Sequence, residues 1–364
     1  MAHAHDRPSE SVAVSSTLRR PSPLLLAESP ANYVGPVGAD PLSQVLRTVK
    51  LTGALFFMVD ATSPWGIEVP HADAFAPIIL PSAQHVVSYH IVLQGSAFAS
   101  VLGMQPTLLN AGDIVVFPHA DPYAMLSRPG QAPEFSESET LEFFRLMTAG
   151  KLPFVVSEGG GGRERARFVC GFLGCYARPF NPLLNALPRM LHIKHRPEVQ
   201  SDLLDCLVDL TIREAQQVRA GSECIRLGLS ELIFVEVLRR FLATCEVGQM
   251  SWFTGLRDPI IGQALALLHE NASHSWTLRE LARNTAVSRS VLAERFTAMV
   301  GCPPMQYLTQ WRMQLAARLL TDSSMKIRAV SQEVGYASEA AFSRTFKRIA
   351  GVPPVKWRME RSSG

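Results

Sequence analysis

The chain has 364 residues, 47% of them hydrophobic, and a formal net charge of +3. That length suits two ordinary domains with a connecting element, and the apolar share is enough to bury a sizeable core. No apolar run approaches the ~20 residues that a membrane span needs, and none of the six cysteines forms the Cys-x-x-Cys pair of a zinc ribbon or a thioredoxin motif.

The opening stretch, "MAHAHDRPSESVAVSSTLRRPSPLLL", carries Pro, Ser and charge and has no apolar segment near its start. Residues 1–36 therefore read as a disordered tail rather than a signal peptide, and the expected location is the cytoplasm. In that reducing compartment Cys170, Cys175, Cys206, Cys224, Cys245 and Cys302 are expected as free thiols.

From residue 41, "PLSQVLRTV" places Leu42, Val45, Leu46 and Val49 on one side of a short helix. "GALFFMVD", "HVVSYHIVLQG", "AFASVLG", "TLLNAGDIVVFP" and "RFVCGFLG" follow as short strands rich in Val, Ile, Phe and Leu, separated by Gly, Pro and Asp turns. That many strands in so short a span predict a sandwich or barrel. Gly159–Gly162 form a loop without the Lys-Ser/Thr ending of a phosphate loop. His192 and His195 lie near a proline and read as an exposed turn.

After Pro197 the pattern turns helical. "DLLDCLVDLTIREAQQV" and "SELIFVEVLRRFLATC" are helical runs. The second is apolar around more than one face, so it is buried or paired with another chain; we take it as a dimer contact. "GQMSWFTGLRDP" reads as a turn-rich linker before an all-helical final third.

That third carries an internal repeat, which fixes an architecture before any other feature does. At an offset of 50, Ser288 aligns with Ser338, Leu292 with Phe342, Phe296 with Phe346, Met299 with Ile349 and Gly301 with Gly351. The first halves align better at 49, Leu278 on Ile327 and Leu281 on Val330, so the second turn holds one extra residue. Each copy predicts a short helix, a tight turn and a second helix capped by its serine. Leu292, Phe296 and Met299 cluster in one sector, as do Phe342, Phe346 and Ile349. The opposite face holds Ser290, Glu294 and Thr297 in the first copy, and Ala340, Arg344, Lys347 and Arg348 in the second. From Arg257 onward 15 Lys and Arg stand against 8 Asp and Glu, a balance of +7, while the rest of the chain is at −4. A basic pair of helix-turn-helix units could enter successive major-groove segments of DNA, ~34 Å apart. The helix "MQYLTQWRMQLAARLL", with Leu308, Trp311, Leu315 and Leu319 in a stripe, would hold that spacing.

"WTLRELARNTAVSRSVLAERF", "IRAVSQEVGYASEAAFSRTFKRIAGVPPVKWR" and the Gly-x-Pro-Pro ending resemble the DNA-binding domain of AraC/XylS-type transcription regulators over about the last 105 residues. The resemblance implies seven helices, two of them recognition helices, on asymmetric promoter elements, usually for activation. RNA polymerase is then a partner alongside double-stranded promoter DNA. Carried over, the first recognition helix presents Arg289, Ser290, Glu294, Arg295 and Thr297, and the second Glu339, Ala340, Arg344 and Lys347. Arg344 is the first choice for a base contact; Arg312, Arg348 and Lys356 are phosphate candidates.

"SYHIVLQGSAFASV", "LLNAGDIVVFPHADPYAM" and "RFVCGFLGCYARPFNPLLNALPRMLHI" are similar to the cupin-type sensing domain of one branch of those regulators. That implies a small barrel for a small-molecule effector, then dimerising helices and a homodimer. Cupin enzymes hold a metal with a His-x-His pair, a Glu and a further His. Within the cupin-like segments no such pair occurs, Tyr123 stands where relatives often have another His, and His85 and His90 should face opposite ways on a strand. His90, His119 and Tyr123 are therefore expected to line the barrel for an effector, with no metal or cofactor.

The reading is α+β. It has a tail at 1–36 and a cupin-like β-barrel at 37–196. A helical dimerisation and linker region follows at 197–256, then an all-α DNA-binding domain at 257–364 with units at 277–300 and 327–350. A non-enzyme is expected; the rival is a metal-dependent cupin enzyme with an accessory DNA-binding part.

Overall fold

The computed structural model describes residues 40–49, 51–176, 178–195, 203–216, 219–245 and 251–361. The tail expected at 1–36 lies outside the described residues. In chain order the first half runs α1 (Pro41–Val49), β1 (Leu51–Thr62), β2 (Gly66–Val69), α2 (Ala72–Ile79), β3 (His85–Gln94), β4 (Ser96–Val101), β5 (Thr107–Asn110), β6 (Ile114–Phe117), β7 (Tyr123–Leu126), α3 (Glu137–Thr148), β8 (Val155–Gly159), β9 (Arg165–Cys175), α4 (Pro182–Ala186) and β10 (Leu191–Ile193). Two sheets result, ordered β10-β6-β3-β9-β1-β8 and β2-β7-β4-β5. Among the described residues the strand pairings are antiparallel except β1 with β8.

The larger sheet is covered on both faces, which is why its strands are continuous apolar runs in sequence. Alternation sends Phe168, Cys170 and Phe172 of β9 into the core between the sheets. Val169, Leu173 and Cys175 go to the opposite core, against helices. Tyr89 also faces that way, its ring lying where a Cβ on Gly171 would be 2.0 Å from it. The Tyr89 hydroxyl is thereby brought to 3.3 Å from Ser230 Oγ.

That covering layer is α5 (Leu203–Gln216) with α6 (Ser222–Thr244), which pack on each other. Then come α7 (Trp252–Arg257), α8 (Pro259–Glu270), α9 (Leu278–Asn284), α10 (Arg289–Val300), α11 (Pro304–Asp322), α12 (Ile327–Glu333), α13 (Glu339–Ala350) and α14 (Pro354–Arg361). From Ser251 on, the segment read as a turn-rich linker forms α7, a short helix with a Ser251–Thr254 capping box and buried Trp252 and Phe253. It packs on α8 and α10, so its aromatics serve the helical core. Among the described residues no helix is long and apolar enough to cross a membrane.

One apolar core runs from the outer face of the larger sheet through α6 and α7 to α8, α9, α10 and the first half of α11. A separate core holds Met313, Leu320, Val330, Phe342, Phe346 and Trp357. The sheet-rich half also touches the helical domain directly. Helix α1 packs on α8 and α11. The Phe180 N–H donates to buried Gln314 Oε1 at 3.0 Å, and Arg318 donates to the Arg47 carbonyl at 3.2 Å.

His192 and His195 are not in an exposed turn. His192 is part of β10, with Nε2 2.9 Å from Asp113 Oδ2, and the His195 N–H donates to Asp113 Oδ1 at 2.8 Å. Asp113 also accepts from the Asn110 N–H at 3.0 Å. Burial alone would raise the Asp113 pKa. The hydrogen bonds from Asn110, His195 and His192, with the His192 charge, outweigh it and hold the carboxyl below its ordinary 3.8. A carboxylate lowered on folding stabilises above its unfolded pKa, and the contribution disappears as pH falls through the folded value. The melting-temperature gap between wild type and Asp113→Ala should thus be full above about pH 5 and shrink below pH 4. A gap that does not change with pH would contradict the assignment.

Candidate nucleic-acid interface and sensor cavity

The two repeats fold alike. Ser288 Oγ accepts from the Val291 N–H and Ser338 Oγ from the Ala341 N–H, each at 3.3 Å, starting α10 and α13. Gly301 and Gly351 end them at φ 83° and 82°, the left-handed conformation that glycine adopts without a Cβ clash. In the turns, Ala286 at φ 55° matches Gly335 at φ 81°. The extra residue of the second turn is therefore Ala337. Leu292 and Phe296, like Phe342 and Phe346, are fully buried. Helix α11 joins the units: Leu308 and Trp311 belong to the first core, Leu319 packs on the second, and Leu315 packs on both.

Burial of those stripes turns the opposite faces outward. Arg289, Ser290, Glu294 and Thr297 on α10 are exposed, as are Glu339, Ala340, Arg344, Lys347 and Arg348 on α13. Among the described residues no ion pair or hydrogen bond holds the side chains of Arg344, Lys347 or Arg348. They form a row of uncommitted cations on α13. Lys356, on α14, is 3.6 Å from Glu360.

Two expected DNA contacts are engaged inside the protein. Arg295 pairs with Asp258, whose Oδ1 caps α8 by accepting from the Ile260 and Ile261 N–H groups at 3.0 and 2.9 Å. Arg312 donates to the Ala272 and His274 carbonyls at 2.6 and 2.7 Å, with its guanidinium 5.8 Å from the centre of the Tyr336 ring. Arg312 thus ties the bend between α8 and α9 to the turn of the second unit. Burial lowers its pKa. Neither arrangement can be read from the one-dimensional spacing that nominated these residues.

In the sheet-rich half, His90 and Tyr123 come together and His119 does not. His90 is 3% exposed, with Nε2 2.9 Å from Tyr123 Oη and Nδ1 3.2 Å from Cys170 Sγ. Burial depresses its pKa to about 3, so the ring is neutral, one nitrogen donating and the other accepting. His119 lies elsewhere, its Nε2 2.8 Å from the Leu187 carbonyl. His85 bonds the Pro118 carbonyl at 2.6 Å. These imidazoles do not converge, and among the described residues no three His, Cys, Asp or Glu side chains form a set that could hold a metal. The donor set does not fit the metal of cupin enzymes.

Between the two sheets and α3 lies a cavity of about 540 Å³, open mouth included. Phe57 and Val59 of β1, Phe143 and Phe144 of α3, and Phe168 and Phe172 of β9 dominate its wall; His90, Thr140, Cys170 and Glu158 are its polar points. The apolar, aromatic lining with a few polar points is that of a small-molecule site. Sequence reasoning missed α3 and Glu158. Helix α3 had a signal, since Ser136 and Glu139 form a capping box ahead of the apolar run "LEFF". Glu158 had none.

Paired helix-turn-helix units spaced by a common strut, one with a basic outward face, define a protein that reads duplex DNA, here behind a sheet domain with an aromatic-lined cavity. A cupin family model matches residues 40–243, and a helix-turn-helix domain model matches 281–360. An AraC-like transcription regulator of Streptomyces lividans is 32% identical over 329 residues, 88% of this chain and 98% of that one. A second, from Streptomyces antibioticus, is 31% identical over 88% of this chain and 98% of its own. The HTH-type transcriptional regulator AlkR of Acinetobacter baylyi is 28% identical over 88% of this chain and 99% of its own. The chain belongs to the AraC family of transcription regulators, with a cupin sensing domain ahead of its helix-turn-helix DNA-binding domain.

Proposed function

We propose that this regulator reads an asymmetric promoter element through α10 and α13, with α13 supplying most of the direct readout. The observation that carries this is the row of exposed, unpaired cations on α13: Arg344, Lys347 and Arg348. On α10 the corresponding positions are Glu294, Thr297 and Ala298, which offer phosphate no cation. Arg344 faces a guanine, while Lys347 and Arg348 neutralise phosphates. Arg289, Ser290, Glu294, Thr297, Glu339 and Ala340 complete the surface. Arg295 and Arg312 instead stiffen the units that present it. In this reading the domains begin at residues 37, 197 and 257.

The protein acts as a homodimer in this reading. Leu203 and Leu210 on α5, and Ile225 and Leu232 on α6, recur at seven-residue spacing, all about half exposed. Such a stripe suits a second copy. A small molecule with a hydrophobic body, held in the barrel cavity, is the effector, and activation through RNA polymerase is the output. Strand β1 carries Phe57 and Val59 in the cavity wall and follows directly on α1, which packs on α8 and α11. A ligand that favours one placement of β1 would shift how the DNA-binding domain is held; it must bind the two arrangements differently to do so.

Promoter-fragment mobility shifts over a salt series test the DNA contact. Lys347→Ala and Arg348→Ala should each weaken binding to every sequence alike and reduce the log–log salt slope by about 1. A slope left at the wild-type value by both variants would remove these residues from the interface.

A further inference from the structure

The cavity wall has a charge pattern that narrows the chemistry of its occupant. Its lining contains no lysine or arginine. His90 is buried, neutral and already bonded through both nitrogens, so it has no proton to offer an anion. The remaining charged group is Glu158. Along the edge strand β8 burial alternates, and Val156 and Glu158 occupy the half-buried side. The Glu158 carboxylate has no hydrogen bond or ion pair among the described residues. Glu134 acts on it as a second negative charge, and burial together with Glu134 raises its pKa. A carboxylate that is half-desolvated, unpaired and repelled by its neighbour gains most from a cation. The aromatic wall favours the same charge, because the face of a phenyl ring is negative. An acid would meet Glu158 with no counter-charge, and a neutral ligand would leave Glu158 unpaired.

We propose that the sensor cavity takes a compact hydrophobic amine in its protonated form, its ammonium set against Glu158 and its ring body among Phe57, Phe143, Phe144 and Phe168. This rests on reading the cavity as the effector site. The order of preference is amine, then neutral isostere, then acid.

Three probes of nearly equal shape separate the possibilities: 2-naphthylmethylamine, 2-naphthylmethanol and 2-naphthoic acid, titrated calorimetrically into the full chain at neutral pH. The amine should bind tightest. Glu158→Gln should weaken it ~10-fold or more, the scale of a lost charge-assisted hydrogen bond, while the alcohol keeps its affinity. Glu134→Gln, at an exposed position whose charge reaches Glu158, should weaken the amine by a smaller factor. The melting temperature of ligand-free Glu158→Gln should equal or exceed wild type, since the substitution removes an unpaired charge; this separates lost binding from lost fold. Alcohol or acid binding at least as tightly as the amine, or amine binding indifferent to Glu158→Gln, overturns the inference and leaves the cavity as an effector site. If none of the three binds, both readings fall.

Discussion

Arg344→Ala is expected to erase discrimination at one base pair of the promoter element while leaving the fold intact. The side chain is exposed on the outward face of α13 and has no internal partner among the described residues. Its removal therefore takes nothing from the core, whose members on that helix are Phe342 and Phe346. A bidentate arginine–guanine pair is worth about 1–3 kcal/mol of discrimination. In affinity that is roughly 5- to 150-fold between the preferred base and its competitors. Binding to a panel of single-base variants of the element, at fixed salt, gives the answer. Wild type should show one position with a strong guanine preference, and the variant should show that position flattened. A uniform loss across the panel would instead make Arg344 a phosphate contact, and an unchanged profile would end the account of α13 as the reading helix.

Phe346→Ala should be the most damaging single change to the DNA-binding half, and its damage should stay local. Phe346 is fully buried against Phe342 and Trp357, with ring centres at 5.7 and 5.6 Å. Truncating such a phenylalanine costs about 3–5 kcal/mol. The second unit has its own small core, distinct from the long core that runs from the larger sheet to the first unit. A cost of that size exceeds what a core of this extent can absorb, so α12, α13 and α14 should open while the rest stays folded. Hydrogen exchange read by peptide would show amides of residues 327–361 losing protection and those of β3 and β9 keeping it. DNA binding would fall to the level of a protein with one unit. Loss of protection in both halves together would mean that the two cores melt as one unit through α11.

The repeat was legible because its signals are local: apolar residues at helical spacing, a capping serine and a glycine just past the helix end. Even the one-residue difference between the turns could be counted, and the structure assigns it to Ala337. Strands β1, β3 and β9 were visible as apolar runs. Helix α2 was hidden by Pro77 inside it, a residue that ordinarily breaks helices.

The sequence by itself determined the α+β division, the twin helix-turn-helix units, the basic outward face of the second and the lack of a His-x-His pair in the cupin-like segments, because each follows from neighbours a few residues apart. Only the tertiary structure decided which candidates are free to act. It tied Arg295 to a helix cap and Arg312 to two carbonyls. It drew His90 to Tyr123, 33 positions along the chain, and left His119 outside. It turned Glu158 from an edge strand toward a wall of phenylalanines contributed by three separate elements. Those placements depend on which sheet face meets which helix, a long-range packing choice that local spacing does not encode.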